Sequence, residues 1–171
     1  MLFRILICLA LLGGAVAPLS MAAPALAVTM KDVHKAITEK RSFDAFQDLL
    51  ELAPAGEPEA QFMLGDMYRW GDIGSANFEK ALYWYTRAAN QGNVDAMLGL
   101  AGMYGHGQGV TQDKGAAYRW LVLASSQHLD EKSAGIVAGA RDDLGKHLTP
   151  EQIEAALAEA RSFVPKPEKA Q

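Results

Sequence analysis

The chain has 171 residues, with 16 basic and 20 acidic side chains for a formal charge of −4, and half of its residues are hydrophobic. That balance excludes the basic face a nucleic-acid partner requires. A single cysteine excludes a disulfide framework or a cysteine-built zinc site.

The first 27 residues read as a cleaved export signal. Arg4 supplies a positive start and residues 5–12 are apolar and uncharged. Pro18 and Ser20 break the run, and Ala25-Leu26-Ala27 offers small residues at the two positions a signal peptidase recognises. Ser20-Met21-Ala22 is a weaker rival cleavage site. The apolar run over residues 5–17 has 13 residues, short of the roughly 20 needed to cross a bilayer. Cys8 lies inside the run, whereas a lipoprotein places its cysteine after it. The expectation is a soluble exported protein, periplasmic or secreted, whose remaining 144 residues carry no cysteine and 15 basic against 20 acidic side chains. That length is enough for one domain with a core.

From there the chain reads as helices; no stretch alternates with period two. Residues 28–55 are expected to form two short capping helices, 30–39 and 43–52, followed by a loop at Ala53-Pro54-Ala55-Gly56. Pro58 suits a first helical turn, where its missing N–H costs nothing, and that helix should reach Trp70. Asn77 caps a helix running to Asn90, and Gly92 takes the left-handed position that ends it. Residues 94–104 form the next helix, and Asp113 caps another that reaches Ser126. Residues 131–144 follow. Thr149-Pro150-Glu151-Gln152 opens the last helix, with cap and third residue satisfying free N–H groups reciprocally. It should end near Phe163, leaving residues 165–171 as a flexible tail.

Two stretches of this series repeat 36 residues apart. Ala60, Leu64, Met67, Tyr68, Gly71, Ala81, Trp84, Ala88 and Gln91 recur as Ala96, Leu100, Met103, Tyr104, Gly107, Ala117, Trp120, Ala124 and Gln127. Such a period marks stacked supersecondary units. Within a unit, Ala60, Leu64 and Tyr68 form one helical stripe, and Ala81, Trp84 and Ala88 another. Aromatics at that spacing are expected as core, with alanines letting the helices approach. The repeats occupy residues 56–92 and 93–128. A degenerate third unit with closing helices covers 129–164; there Ile136 falls at the Leu100 position and Ala140 at the Tyr104 position. Worn outer units let an array show a polar end to water.

The repeated residues resemble the Sel1-like repeat (SLR) family, a relative of the tetratricopeptide repeat. Ala96, Leu100, Tyr104, Gly107, Gly109, Val110, Asp113, Ala117, Trp120 and Ala124 carry the match in the second unit. Ala60, Leu64, Gly65, Tyr68, Gly71, Lys80, Ala81, Trp84, Tyr85, Ala88, Ala89, Gln91 and Gly92 carry it in the first. The first unit departs in its loop, Gly71-Asp72-Ile73-Gly74, where the family has glycine, any residue, glycine, valine. The resemblance implies an all-α solenoid of stacked antiparallel helix hairpins. It implies a scaffold and not a particular function.

Other motifs carry little chemistry. Gly105-His106-Gly107-Gln108-Gly109 follows a helix and not a strand, unlike a phosphate-cradling loop. His34, His106, His128 and His147 are not spaced to share a helix face, so no metal is expected. Asp142-Asp143 point to different helix faces, and Glu154 and Glu159 read as solvated surface. The chain is therefore read as non-enzymatic, with no cofactor. By analogy with the tetratricopeptide pattern, the concave groove would be lined by Glu59, Phe62, Asp66 and Arg69 of the first unit and Asp95, Leu98, Gly102 and Gly105 of the second. Trp70 would stand at the rim, and Arg141 would join if the third unit keeps register. Glycine inside a helix costs about 1 kcal/mol relative to alanine, so Gly102 and Gly105 leave bare backbone either for a ligand or for a neighbouring helix. The expected function is a protein-interaction scaffold of the bacterial cell envelope, holding a peptide or protein in the groove. A binder of cell-wall or sugar fragments, suggested by Trp70 and Asp66, is the alternative.

Overall fold

The computed structural model describes residues 28–168; the expected leader and the last three residues lie outside them. In chain order the described helices are α1 (Met30–Thr38), α2 (Ser42–Leu52), α3 (Pro58–Trp70), α4 (Phe78–Asn90), α5 (Val94–His106), α6 (Lys114–Ser125), α7 (Glu131–Gly145) and α8 (Pro150–Arg161). There is no strand among the described residues.

The helix starts follow from their caps. Asn77 accepts from the Lys80 N–H, Asn93 from Ala96 and Asp113 from Ala116, at 2.9, 2.8 and 2.9 Å. Each such cap contributes about 1 kcal/mol. Thr149 and Gln152 form the reciprocal box at the start of α8. Gly71 and Gly107 end α3 and α5 in the left-handed region, at φ 74° and 70°. Both turns close alike. Asn77 N–H donates to Tyr68 C=O at 2.7 Å, and Asp113 N–H to Tyr104 C=O at 2.9 Å. The departing first-unit loop thus keeps the second unit's closure, although Gly74 and Gly109 adopt different φ values, 155° and 71°.

Packing is pairwise and sequential: α1 on α2, α3 on α4, α5 on α6, with α4 joining the two repeats through α5. One apolar cluster joins α1, α2 and α3 around Val33, Leu49 and Leu64. A larger one runs from α4 to α7 around Tyr85, Met97, Leu100 and Met103. The expected stripes are buried at Ala60, Leu64, Ala81, Ala88, Ala96, Leu100, Ala117, Trp120 and Ala124.

Three expectations change. The buried aromatic of α4 is Tyr85, not Trp84, which is only half-buried. The Tyr85 ring lies between two helices that both present glycine to it. A Cβ added at Gly65 would stand 2.6 Å from the ring, and one at Gly99 2.8 Å. The counterpart Trp120 is buried because Phe163 covers it edge-on, 6.4 Å between centroids.

The third unit, secondly, does not form a hairpin like the others. Both α7 and α8 rest on α6 instead of chiefly on each other. Val137 is buried while Ile136, expected at the Leu100 position, is 59% exposed. The register has slipped by one residue.

Thirdly, residues 165–168 do not fray. Lys166 N–H donates to Asn90 C=O and Glu168 N–H to Gln91 Oε1, both at 2.9 Å. The segment runs along the turns that close the repeats, past Gly92 to Gly56. Two prolines favour extension and remove any helix, which reads as disorder in sequence but here as a strap.

Candidate functional site: the face of α3 and α5

Tyr85 organises this face from below. Its hydroxyl donates to Asp66 Oδ1. Burial first, and then the bond to Asp66, push the phenol well above the usual tyrosine range. Phe62 stacks on the same ring, 5.9 Å between centroids at 21°. One helical turn further along α3, Arg69 reaches across to the second repeat. Its Nε and Nη2 donate to Gln108 Oε1 at 3.2 and 2.9 Å. The guanidinium lies over Gly102, where an added Cβ would sit 3.0 Å from Nη2.

Of the two alternatives for the bare backbone at Gly102, the neighbouring helix holds: the space above it is taken by a side chain of α3, the arginine of the first repeat. A guanidinium is flat and delocalised, so bare backbone suits it. At Gly105 an added Cβ would meet only Ala117, at 3.8 Å, an ordinary contact.

The remaining expected groove residues divide. Trp70 is 65% exposed, with the Arg69 guanidinium 4.9 Å from its ring centroid. Glu59 pairs with His34 of α1 at 3.1 Å, both half exposed, a geometry worth little in water. Asp95 is exposed, and Leu98 packs against the core. Arg141 pairs with Asp142 beside it on α7 at 2.9 Å. Phe62, Met63, Asp66 and Met67 of α3 also wall a mainly apolar cleft of about 250 Å³, shared with Ile37 of α1, with Ser42, Ala45 and Leu49 of α2, and with Asp72.

Sequence reasoning missed a second polar constellation. Gln61, Arg87 and Gln91 converge on Glu168 at the turn edge. One signal was present. Position 61 holds glutamine where the second repeat has Met97, and both side chains are fully buried.

A family model, the Sel1 repeat, matches residues 58–93 and 94–129. The chain carries two Sel1 repeats. Its helices superpose on the crystal structure of c5321, a protective antigen present in uropathogenic Escherichia coli strains displaying an SLR fold. The TM-score is 0.65 at 28% identity, over 72% of this chain and 26% of that one. Protein SHC1 of Saccharomyces cerevisiae is 31% identical over 85 residues, half of this chain and 17% of the relative. Chitin synthase regulatory factor 3 of Schizosaccharomyces pombe is 38% identical over 68 residues, 39% of this chain and 7% of the relative. Chitin synthase regulator SKT5 of Saccharomyces cerevisiae is 47% identical over 57 residues, 33% of this chain and 8% of the relative. The chain spans less than a fifth of these relatives' length. No helix among the described residues of this Sel1-like repeat protein is long and apolar enough to cross a membrane.

Proposed function

We propose that this Sel1-like repeat protein is a non-catalytic interaction scaffold of the bacterial cell envelope, which holds a segment of a partner protein along α3, from the α3–α5 face to the cleft that α3 shares with α1 and α2. The cleft beside Phe62 and Asp66 carries the reading. At about 250 Å³ it takes one large apolar side chain, the kind of anchor that dominates binding energy at protein interfaces. Exposed Trp70, braced by Arg69, supplies a rigid aromatic beside it. Relatives named as regulators of chitin synthase support the reading, since a regulator acts through contact with another protein. An acid–base role for Tyr85 and Asp66 fits poorly. The phenol is buried and its proton is held more tightly than usual, the opposite of what a general base needs. For the sugar-fragment reading, Asp66 already gives one carboxylate oxygen to Tyr85, which leaves fewer acceptor sites for a sugar hydroxyl.

The test is site-specific photocrosslinking in cells with the reactive group at position 70, and a control at Ile136 on α7. A single dominant protein adduct at position 70, lost in Met63→Lys with unchanged melting, is expected. Equal crosslinking at both positions, or adducts indifferent to Met63→Lys, would overturn the groove. Recovery from the envelope fraction of a protein starting at Val28 is the matching expectation for export; a cytoplasmic protein with an intact leader would refute it.

A further inference from the structure

We propose that the edge formed by the repeat-closing turns is a second recognition surface. It reads the glutamate of an extended, proline-flanked segment of another polypeptide, and residues 164–168 of this chain occupy it as a built-in competitor. The inference is independent of the α3–α5 face.

The receptor is made by the first repeat alone. Gln61 is the one buried polar side chain in the core among the described residues. Burying an amide costs free energy unless every hydrogen bond is met, and the fold does not demand one there, since the second repeat holds Met97. The polarity serves the tail as well as the turn before α3. Gln61 Nε2 donates to Ala53 C=O and to Glu168 Oε2, each at 3.0 Å. Gln91 Nε2 donates to Gln61 Oε1 at 2.9 Å and Gly56 C=O at 3.1 Å, which fixes both amides in orientation. Arg87 Nε lies 3.0 Å from both carboxylate oxygens of Glu168, and Nη2 also donates to Oε2. At Arg87's position the second repeat has Leu123, 2% exposed.

The occupant is held as a recognition peptide is held. Its backbone is read at alternate residues, Lys166 and Glu168, by Asn90 C=O and Gln91 Oε1. One side chain is read by a fork of guanidinium and amide. Gly56, at φ +98°, lets the segment pass. An added Cβ would stand 3.3 Å from Glu168 Cβ and C=O.

The segment is also free to leave. Residues 164–167 are all exposed, Val164 by 67%, so few buried apolar contacts hold it, the mark of a locally openable segment. Its departure leaves the receptor built, because Gln61 keeps Ala53 and Gln91. A tethered competitor whose own Kd is about 0.1 mM, held at an effective concentration of about 1 mM, weakens any external ligand roughly tenfold.

The probe is a fluorescent peptide with the sequence of residues 162–171, titrated by anisotropy into the full chain. Glu168→Ala, and separately Glu168→Gln, should bind it about tenfold more tightly than the unaltered chain. A peptide with glutamine in place of the glutamate should not bind. Adding Arg87→Glu to Glu168→Ala should abolish binding with helix content unchanged by circular dichroism. No binding by either folded Glu168 variant would overturn the proposal, as would binding indifferent to Arg87 or to the peptide's glutamate. A concentration-dependent dimer of the unaltered chain, absent in Glu168→Ala, would overturn the external partner in favour of tails exchanged between copies.

Discussion

The two repeats share a frame and differ in what they put on it. Both end their first helix at a left-handed glycine, both start the second from a side-chain cap, and both turns close through the same backbone bond. On the outer face, however, Phe62, Asp66 and Arg69 correspond to Leu98, Gly102 and Gly105. In the interior and at the turn edge, Gln61 and Arg87 correspond to buried Met97 and Leu123. The second repeat is apolar or empty at each position where the first is polar or large. Its bareness is complementary, because Arg69 of the first repeat lies over Gly102 of the second. Identical positions between copies maintain the stack; unequal positions are where the chain is equipped to meet something else.

The largest test of that contrast is Tyr85→Ala. It removes the ring seated between Gly65 and Gly99 and should cost about 3–5 kcal/mol in urea unfolding. Its counterpart Leu121→Ala should cost about 2–4 kcal/mol; a Tyr85 loss below the Leu121 loss would break the claim that Tyr85 organises the face. Next comes Gly65→Ala, whose Cβ would press into the ring at 2.6 Å, for about 1–3 kcal/mol of overpacking. Smaller again is Arg69→Ala, which loses the Gln108 bonds at about 1 kcal/mol, while Gly105→Ala, its counterpart, should raise stability by up to about 1 kcal/mol. Equal signs at positions 69 and 105 would contradict the division of roles.

The smallest effects are in pH. Tyr85 has a raised pKa in the folded chain, so its contribution is complete below the ordinary tyrosine range and falls as pH rises through the folded value. Stability should decline in strong alkali, less so in Tyr85→Phe. Glu168 runs the other way. Arg87 first, and then Gln61, hold its carboxyl below the usual glutamate range against the opposing effect of burial. Arg87, itself bonded to Tyr83, is the charged group facing it. Tail docking is present above the ordinary glutamate pKa and is lost as pH falls through the depressed one. Amide NMR shifts of Lys166 and Glu168 should follow that titration.

Much of the frame was legible because its signals are local. Pro58 to Trp70 bounds α3 as expected, Asn77 and Asp113 are caps, Gly92 is left-handed, and Thr149 with Gln152 forms its box. What was illegible depends on partners far along the chain. Trp84 and Tyr85 are adjacent and either could head the stripe; the choice is made by Gly65 and Gly99 on other helices. Arg69 was expected on the face, but its reach to Gln108 spans 39 residues. The tail shows no helical pattern, and the buried amide that donates to it lies 107 residues earlier at Gln61. The slip in α7 accompanies the seating of α8 on α6, a tertiary arrangement that the repeat period does not encode.

Trp70 stands in solvent on the rim, Trp120 is sealed at 5% exposure, and the lid over Trp120 is Phe163, the residue just before the strap begins. With half-buried Trp84 replaced by phenylalanine, the molecule therefore carries its own pair of lamps. Quenching by a water-borne agent dims the first at all times. The second stays bright until whatever peels the strap also lifts its root.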